Sequence, residues 1–341
     1  MILDGKRVLV TGGTGSLGAT VVRALLRGDM GRPARITVFS RDEAKQNDMR
    51  LSFLNRPAAT DEVIYANLQQ VLHFRIGDVR DYPAVRAAVE QADVVINAAA
   101  LKQVPSCEYF PIEAVQTNVL GAGNIVRAIR ESGAHVEVVA GISTDKACKP
   151  VNVMGMTKAL MERIFAEANL ECKATRFVCV RYGNVIASRG SVVPLFLDQI
   201  ARGGPVTITT EEMTRFLLSL DRAVETVFAA IESARPGETY VPRVSAARII
   251  DVASTLIDGR GIDITITGVR PGEKTHEIMV SEEECHRTIS RGEYYVILPM
   301  LPELRDPEAL TPALTSEYSS SAVNLEGAAL RDALAPFMEH R

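Results

Sequence analysis

In the first half of the chain, short apolar runs alternate with longer stretches whose apolar positions return with a helical period. Arg7–Val10, Arg35–Phe39, Val71–Ile76, Val94–Ala98, Val136–Ala140 and Phe177–Arg181 read as strands, and Ala19–Leu26, Pro83–Glu90 and Glu113–Glu131 as helices. Strand and helix taking turns predicts a parallel sheet with helices on both faces, the doubly wound α/β fold. The pattern breaks after Arg181. Residues 186–218 are loop-rich, strand and helix signals return at Glu238–Pro242 and Ala247–Ile257, and 262–341 are mixed. The division expected is a main α/β domain of residues 1–185 plus about 219–258, with 186–218 and 259–341 forming a smaller discontinuous lobe. Such a lobe would lie over the carboxyl ends of the strands, where open α/β sheets bind ligands. Residues 55–70 are a polar excursion between the second and third strands, to which no role is assigned.

Composition narrows the partners. Of 341 residues 47% are apolar and 23% charged, with a net charge of −4. That balance argues against nucleic acid or an anionic membrane surface as the main partner, although a local arginine cluster could still hold an anionic substrate. No apolar run approaches the length of about eighteen residues that a membrane helix needs, and a strand beginning at Lys6 leaves no room for a signal peptide. The five cysteines, Cys107, Cys148, Cys172, Cys179 and Cys285, show neither metal spacing nor a pairing framework. Reduced thiols in the cytoplasm are expected. The histidines show no ligand spacing either, so no metal is expected.

The first strand runs into Thr11-Gly12-Gly13-Thr14-Gly15-Ser16-Leu17-Gly18, which opens the first helix. Glycines at 12, 15 and 18 permit a tight turn, a close approach of backbone to a pyrophosphate and close helix packing, with helix N–H groups facing the anion. Ala19 stands where a nucleoside-triphosphate loop would need lysine. About twenty residues further on, the second strand ends in Ser40-Arg41-Asp42, with Lys45 one turn away. Ser40, Arg41 and Lys45 suit a 2′-phosphate and favour NADP; Asp42 leaves NAD open. Asp78 and Val79 after the third strand are expected at the adenine, and Ala98, Ala99 and Ala100 after the fourth beside the passing cofactor.

The remaining motifs fall in one order: Ala98-Ala-Ala-Leu-Lys-Gln-Val-Pro-Ser-Cys-Glu-Tyr109, Asn118-Val-Leu-Gly121, Ser143-Thr-Asp-Lys146, Arg181-Tyr-Gly-Asn184, Arg189-Gly-Ser-Val-Val-Pro194, Met213-Thr-Arg-Phe216, Arg270-Pro-Gly-Glu-Lys274 and Glu317-Tyr-Ser-Ser320. Over nearly the whole chain this resembles the soluble UDP-N-acetylglucosamine 4,6-dehydratases, extended short-chain dehydrogenase/reductase relatives of capsule, flagellar and O-antigen sugar synthesis. In short-chain dehydrogenases a tyrosine four places before a lysine handles the proton of an alcohol. Here Lys158 is kept and the tyrosine position holds Met154, which a thioether cannot replace as an acid or base. The resemblance is to the methionine-containing branches.

The resemblance implies oxidation at C4 of the sugar, deprotonation at C5, loss of the C6 hydroxyl as water and return of the hydride to C6. Lys146 is then the C5 base, with a pKa expected to be depressed by the closed site, by Lys158 and by the cationic nicotinamide. Asp145 is the acid for the C6 hydroxyl, and its titration is coupled to that of Lys146. Thr144 bonds the C4 oxygen, Lys158 holds the nicotinamide ribose and passes on the C4 proton, and Asn118 orders the water path. Lys102 and Glu108 are placed at the sugar. Asn184, Arg189, Val192, Arg215, Arg270 and Glu273 are placed at the UDP, where a diphosphate asks for forked cationic donors. The helices at Glu113–Glu131 and Gly155–Ala168 resemble those that pair subunits, so a homo-oligomer, dimer to hexamer, is expected. Two other readings stay open: a nucleotide-sugar 4-epimerase or reductase on the same scaffold, against which Met154 counts, and a non-catalytic NADP-binding regulator.

Overall fold

The computed structural model describes residues 1–54, 70–186, 191–305 and 311–338. Its centre is a nine-stranded sheet. The six parallel strands β1 (Arg7–Thr11), β2 (Arg35–Ser40), β3 (Leu72–Ile76), β4 (Val94–Asn97), β5 (Val138–Ile142) and β6 (Arg176–Val180) run in the spatial order 3-2-1-4-5-6. Thr239–Pro242 adds parallel to β6, and the hairpin Thr288–Arg291 with Tyr294–Ile297 closes that edge antiparallel. This is the Rossmann-like doubly wound arrangement, and its strand order reverses between β1 and β4.

Alternation within strands builds two cores. Val8 and Val10 point into the apolar layer beneath the helices Ser16–Arg27 and Leu220–Ser233, while Leu9 joins the opposite layer with Ile125, Phe165 and Phe177. Central β4 and β5 are buried at every position, as continuous apolar runs on a doubly covered sheet should be. β5 begins two residues later than the periodicity predicts, although Glu137 already bonds Asp93 O and Arg176 N across the strand ends.

The expected Glu113–Glu131 helix is in three parts: Pro111–Ala114, a wide π-helical turn at Val115–Leu120, and Gly121–Ser132, which ends at Gly133 in the left-handed region. The wide turn lies beside the site described below and carries Asn118, a common placement for π-turns.

The domain division needs two corrections. Helix Ile249–Ile257 packs with Val192–Ala201 and Gly327–Met338 in the smaller lobe's own core, not on the main sheet. Conversely, Thr288–Arg291 and Tyr294–Ile297, expected in the lobe, extend the main sheet. The helix has nine residues and the two strands four each, too short for periodicity alone to assign them to one core or the other. No helix among the described residues is long and apolar enough to cross a membrane.

Candidate active site

The loop after β1 is built for close backbone contact. Gly12 has φ +64°, and a Cβ there would lie 2.7 Å from Ala99 Cα; one on Gly18 would lie 2.5 Å from Gly12 O. Gly15 caps helix Ser16–Arg27 without any side-chain bond to its first N–H groups, so among the described residues no side chain competes for them. Ala98 N and Ala99 N donate to Thr11 O and Thr11 Oγ1, drawing the end of β4 against this loop. Thr14 Oγ1 and Ser40 Oγ are 2.9 Å apart across the β1 and β2 ends. Leu17 packs on the core below, and Ala100 is half-buried. A backbone cradle that a Cβ would fill, with open helix N–H groups, fits a dinucleotide pyrophosphate.

At the β2 end Arg41 is more than half exposed and lies 3.8 Å from Asp78. Asp78 also takes Arg80 at 2.7 Å; burial pushes its carboxyl up, but the Arg80 bonds outweigh this and hold it below its usual range. Lys45 is paired with Asp42. Val79 is buried, with its side chain on Gly121.

Beyond β5 the chain makes one tight turn. Thr144 opens the short helix Asp145–Ala147, donating to Asp145 Oδ1 at 2.8 Å and accepting weakly from Lys146 N. Asp145 is wholly buried, and its backbone N–H bonds Tyr182 O beyond β6. Lys146 Nζ sits between Asp145 Oδ1 and Glu277 Oε1, 3.1 Å from each. Asp145 Oδ2 and Glu277 Oε2 are buried without a hydrogen-bond partner among the described residues. Burial pulls the Lys146 pKa down, but Asp145 and Glu277 together raise it above its ordinary value. The depressed lysine expected from sequence is corrected here, because that expectation counted nearby cations and missed a second carboxylate.

Helix Val153–Glu171 starts directly on this turn. A Cβ on Gly155 would stand 2.1 Å from Lys146 O, so only glycine lets the two backbones meet. Asn152 caps the helix through Gly155 N at 2.8 Å, and its amide donates to Gly272 O at 2.7 Å. Lys158 is buried and bonds Ile142 O at 2.8 Å; burial pushes its pKa down to about 8. Met154 lies four residues earlier in an apolar pocket with Cys107 and Ala114. Asn118 spends its amide on Leu101 N, Leu101 O and Thr157 Oγ1. It is a strut for the 98–104 loop, which corrects its assignment to a water path.

The remaining expected residues divide. Glu108 does not reach toward a pocket; its carboxylate accepts from Val153 N at 2.6 Å and caps the Lys158 helix. Lys102 is exposed at the same loop. Arg215 is 7% exposed, bound to Thr214 O and Thr275 O, with Nε 3.9 Å from Glu277. It sits beside the acid–base cluster, and Nη1 makes both carbonyl bonds. Asn184 Oδ1 is buried without a partner among the described residues, as is Ser191 Oγ, next to half-buried Val192. Glu273 accepts a long bond from Thr209, and Arg270 is exposed. Arg189 lies outside the described residues. Sequence reasoning missed Glu277, Asn152 and Lys274, whose Nζ bonds Cys148 O at 2.7 Å. Asn152 carried a readable signal, an N-cap asparagine before a helical run.

Known proteins give the site its context. The model of a family described as polysaccharide biosynthesis protein matches residues 8–299. A protein of Campylobacter jejuni named UDP-N-acetylglucosamine 4,6-dehydratase (inverting) is 39% identical, with 97% of this chain and 92% of that one covered. A protein of Rickettsia canadensis named UDP-glucose 4-epimerase is 45% identical, with 87% and 84% covered. The X-ray structure of Pen from Bacillus thuringiensis superposes with TM-score 0.87 at 30% identity, covering 98% of this chain and all of that one. With that match over most of its length, a glycine loop that fits a dinucleotide and the Asp145–Lys146 pair at the strand ends, this chain belongs to the polysaccharide biosynthesis protein family.

Proposed function

We propose that the chain is a UDP-N-acetylglucosamine 4,6-dehydratase, which converts its substrate to a UDP-4-keto-6-deoxy-N-acetylhexosamine and water. The observation that carries this reading is the buried Asp145 paired with half-buried Lys146, on a turn packed against the start of the helix that carries Lys158, with Met154 in the place of a tyrosine. An epimerase needs proton handling only at C4, whereas an elimination needs a base and an acid at adjacent carbons. Lys146 and Asp145 supply that pair: the amine of Lys146 takes the C5 proton, and Asp145 hands one to the departing C6 hydroxyl. Thr144 orients the C4 oxygen. Lys158, already lowered to about 8, can release and regain the C4 proton near neutrality. The chemistry a bound nicotinamide supplies is reversible storage of the hydride, with no net redox change. The Campylobacter relative, named as inverting, supports inversion at C5.

The test is incubation with UDP-N-acetylglucosamine in deuterated water, followed by NMR. The expected product is a 4-keto-6-deoxy sugar with deuterium at C5. The Rickettsia relative gives the epimerase reading its support; that activity would give the C4 epimer with no water lost and no deuterium. An unchanged sugar would point to a regulator.

NADP is the proposed cofactor, from Ser40 and the exposed Arg41 at the β2 end. A charge-assisted bond to a 2′-phosphate is worth roughly 1.5–3 kcal/mol. Arg41→Ala is therefore expected to weaken NADP at least about tenfold and to leave NAD nearly unchanged, as read by fluorescence titration of both. Equal losses for the two would place Arg41 away from the phosphate.

A homo-oligomer is also proposed. Leu120, Met156 and Leu160 are exposed on the two helical segments expected to pair between subunits, and Tyr109, Phe110 and Ile112 are exposed just before the first of them. Localisation in the cytoplasm belongs to the same proposal, because a UDP-sugar substrate and five free thiols suit that compartment.

A further inference from the structure

A lysine resting between two carboxylates is held as ammonium, and an ammonium has no lone pair with which to take a proton from carbon. The second carboxylate offers the way out. Glu277 comes from a distant part of the chain, just before the strand Ile278–Val280, and is 2% exposed. Its position does not depend on Lys146: its N–H donates to Ser320 Oγ at 2.9 Å, and its carbonyl accepts from Ser320 N at 2.8 Å. Oε1 meets Nζ at 3.1 Å, while Oε2 is buried with no partner among the described residues. A buried carboxylate oxygen with no donor favours the protonated form. The charged groups facing it are Asp145, Lys146, Arg215 and, further off, Lys274. Burial and the charge of Asp145 push the Glu277 carboxyl above its usual range, against the pull of Lys146 and Arg215.

We propose that Glu277 is the internal acceptor for the Nζ proton of Lys146, a positioning residue that frees the amine base without exchange with solvent. The idea rests on the dehydratase reading for its chemical purpose. In the step, one N–H bond of the ammonium breaks and its electron pair stays on nitrogen; a lone pair of the Glu277 carboxylate forms the new O–H bond. Two carboxylates and one ammonium become one carboxylate, one amine and one carboxylic acid, with the same net charge. The amine then takes the C5 proton. The cluster now holds one proton more than at rest, which is the number the C6 hydroxyl needs to leave as water. Its passage through Asp145 restores the resting state.

The test follows C5 exchange by the cofactor-loaded protein across pH. In the wild type a Glu277 protonated from solvent cannot accept, so activity is lost as pH falls through the carboxyl pKa of Glu277 and is flat above it. Glu277→Gln keeps the shape and removes the acceptor; Lys146 must then lose its proton to solvent. The acid limb should move to alkaline pH, with exchange near neutrality down by about 10²-fold, the usual weight of one acid–base group. Glu277→Asp should keep the limb near its wild-type position. A limb that moves to the acid side in Glu277→Gln overturns the proposal, since removing a mere neighbouring charge lowers the lysine's pKa. So does a slower variant with an unmoved limb, the mark of a structural role. A second measurement needs no turnover: infrared titration should show a protonated carboxyl stretch that persists above the ordinary carboxylate range and vanishes in Glu277→Gln. Absence of that band in the wild type overturns the proposal whatever the substrate. If the band is present and the wild type exchanges no C5 proton, the dehydratase reading falls and the proton-holding role of Glu277 stands.

Discussion

Lys146→Met is expected to abolish deuterium incorporation at C5 while leaving NADP binding intact. Lys146 lies 3.1 Å from both buried carboxylates, and a positioned general base is worth about 10²–10⁴-fold in rate. The cradle for the cofactor is built from Gly12, Gly18 and Ala99, whose contacts do not involve Lys146. The two functions should therefore separate in one variant. Removing the cation also leaves Asp145 and Glu277 facing one another, and burial then favours a shared proton over two charges. The variant should lose stability toward alkaline pH, where that proton is stripped. NMR in deuterated water and fluorescence titration with NADP read the two arms. Loss of cofactor affinity together with exchange would move Lys146 into the cofactor site.

The second large effect expected is on stability. Arg181 is 3% exposed and bridges Glu162 at 2.7 Å and Glu284 at 2.8 Å, with a further bond to Met279 O. Glu162 is on the Lys158 helix and Glu284 in the short helix Glu282–Cys285, so one guanidinium joins the main sheet to the C-terminal segments. Arg181→Met removes the cation shared by two largely buried carboxylates and a carbonyl, leaving Glu162 with Ser143 Oγ and Glu284 with Ser281 N and Arg287. Breaking a buried pair in this way costs about 3–5 kcal/mol, a large part of the roughly 5–15 kcal/mol that holds a domain folded. A fall of that size is expected in urea unfolding at neutral pH.

The sign with pH follows from Glu284. Burial pushes its carboxyl up, but Arg181, the Ser281 N–H and Arg287 outweigh that and hold it down to about 2. A lowered carboxyl stabilises the fold above its unfolded pKa, and the contribution is lost as pH falls through the folded value. The gap between wild type and Arg181→Met should then be full near neutrality and shrink from the ordinary carboxylate range down toward about pH 2. A gap independent of pH would mean that packing, not charge, sets the loss.

Much of this molecule was legible in its residues. The alternation of strands and helices predicted the doubly wound sheet, because a central parallel strand must be apolar on both faces. The glycine loop was legible because positive φ and close backbone approach each exclude a side chain. Thr144, Asp145 and Lys146 were legible as a group because one tight turn carries all three. Glu277 was not. It lies 131 residues after Lys146 in a polar stretch, Lys274-Thr275-His276-Glu277, that looks like any solvated segment. Only the pairing of Ile278–Val280 with Tyr318–Ser319 brings it under the turn. Glu108 was misplaced for a similar reason: its charge was read as an offer to a ligand, when a helix N-terminus had already claimed it.

Asn152 touches two things at once: the first turn of the helix that carries Lys158, and the carbonyl of Gly272 between Arg270 and Glu273. Handle and blade are therefore forged in one piece. Rebuilding residues 270–273 should also tilt the first turn of the helix that carries Lys158, so changes made there are expected to reach the lysine through Asn152.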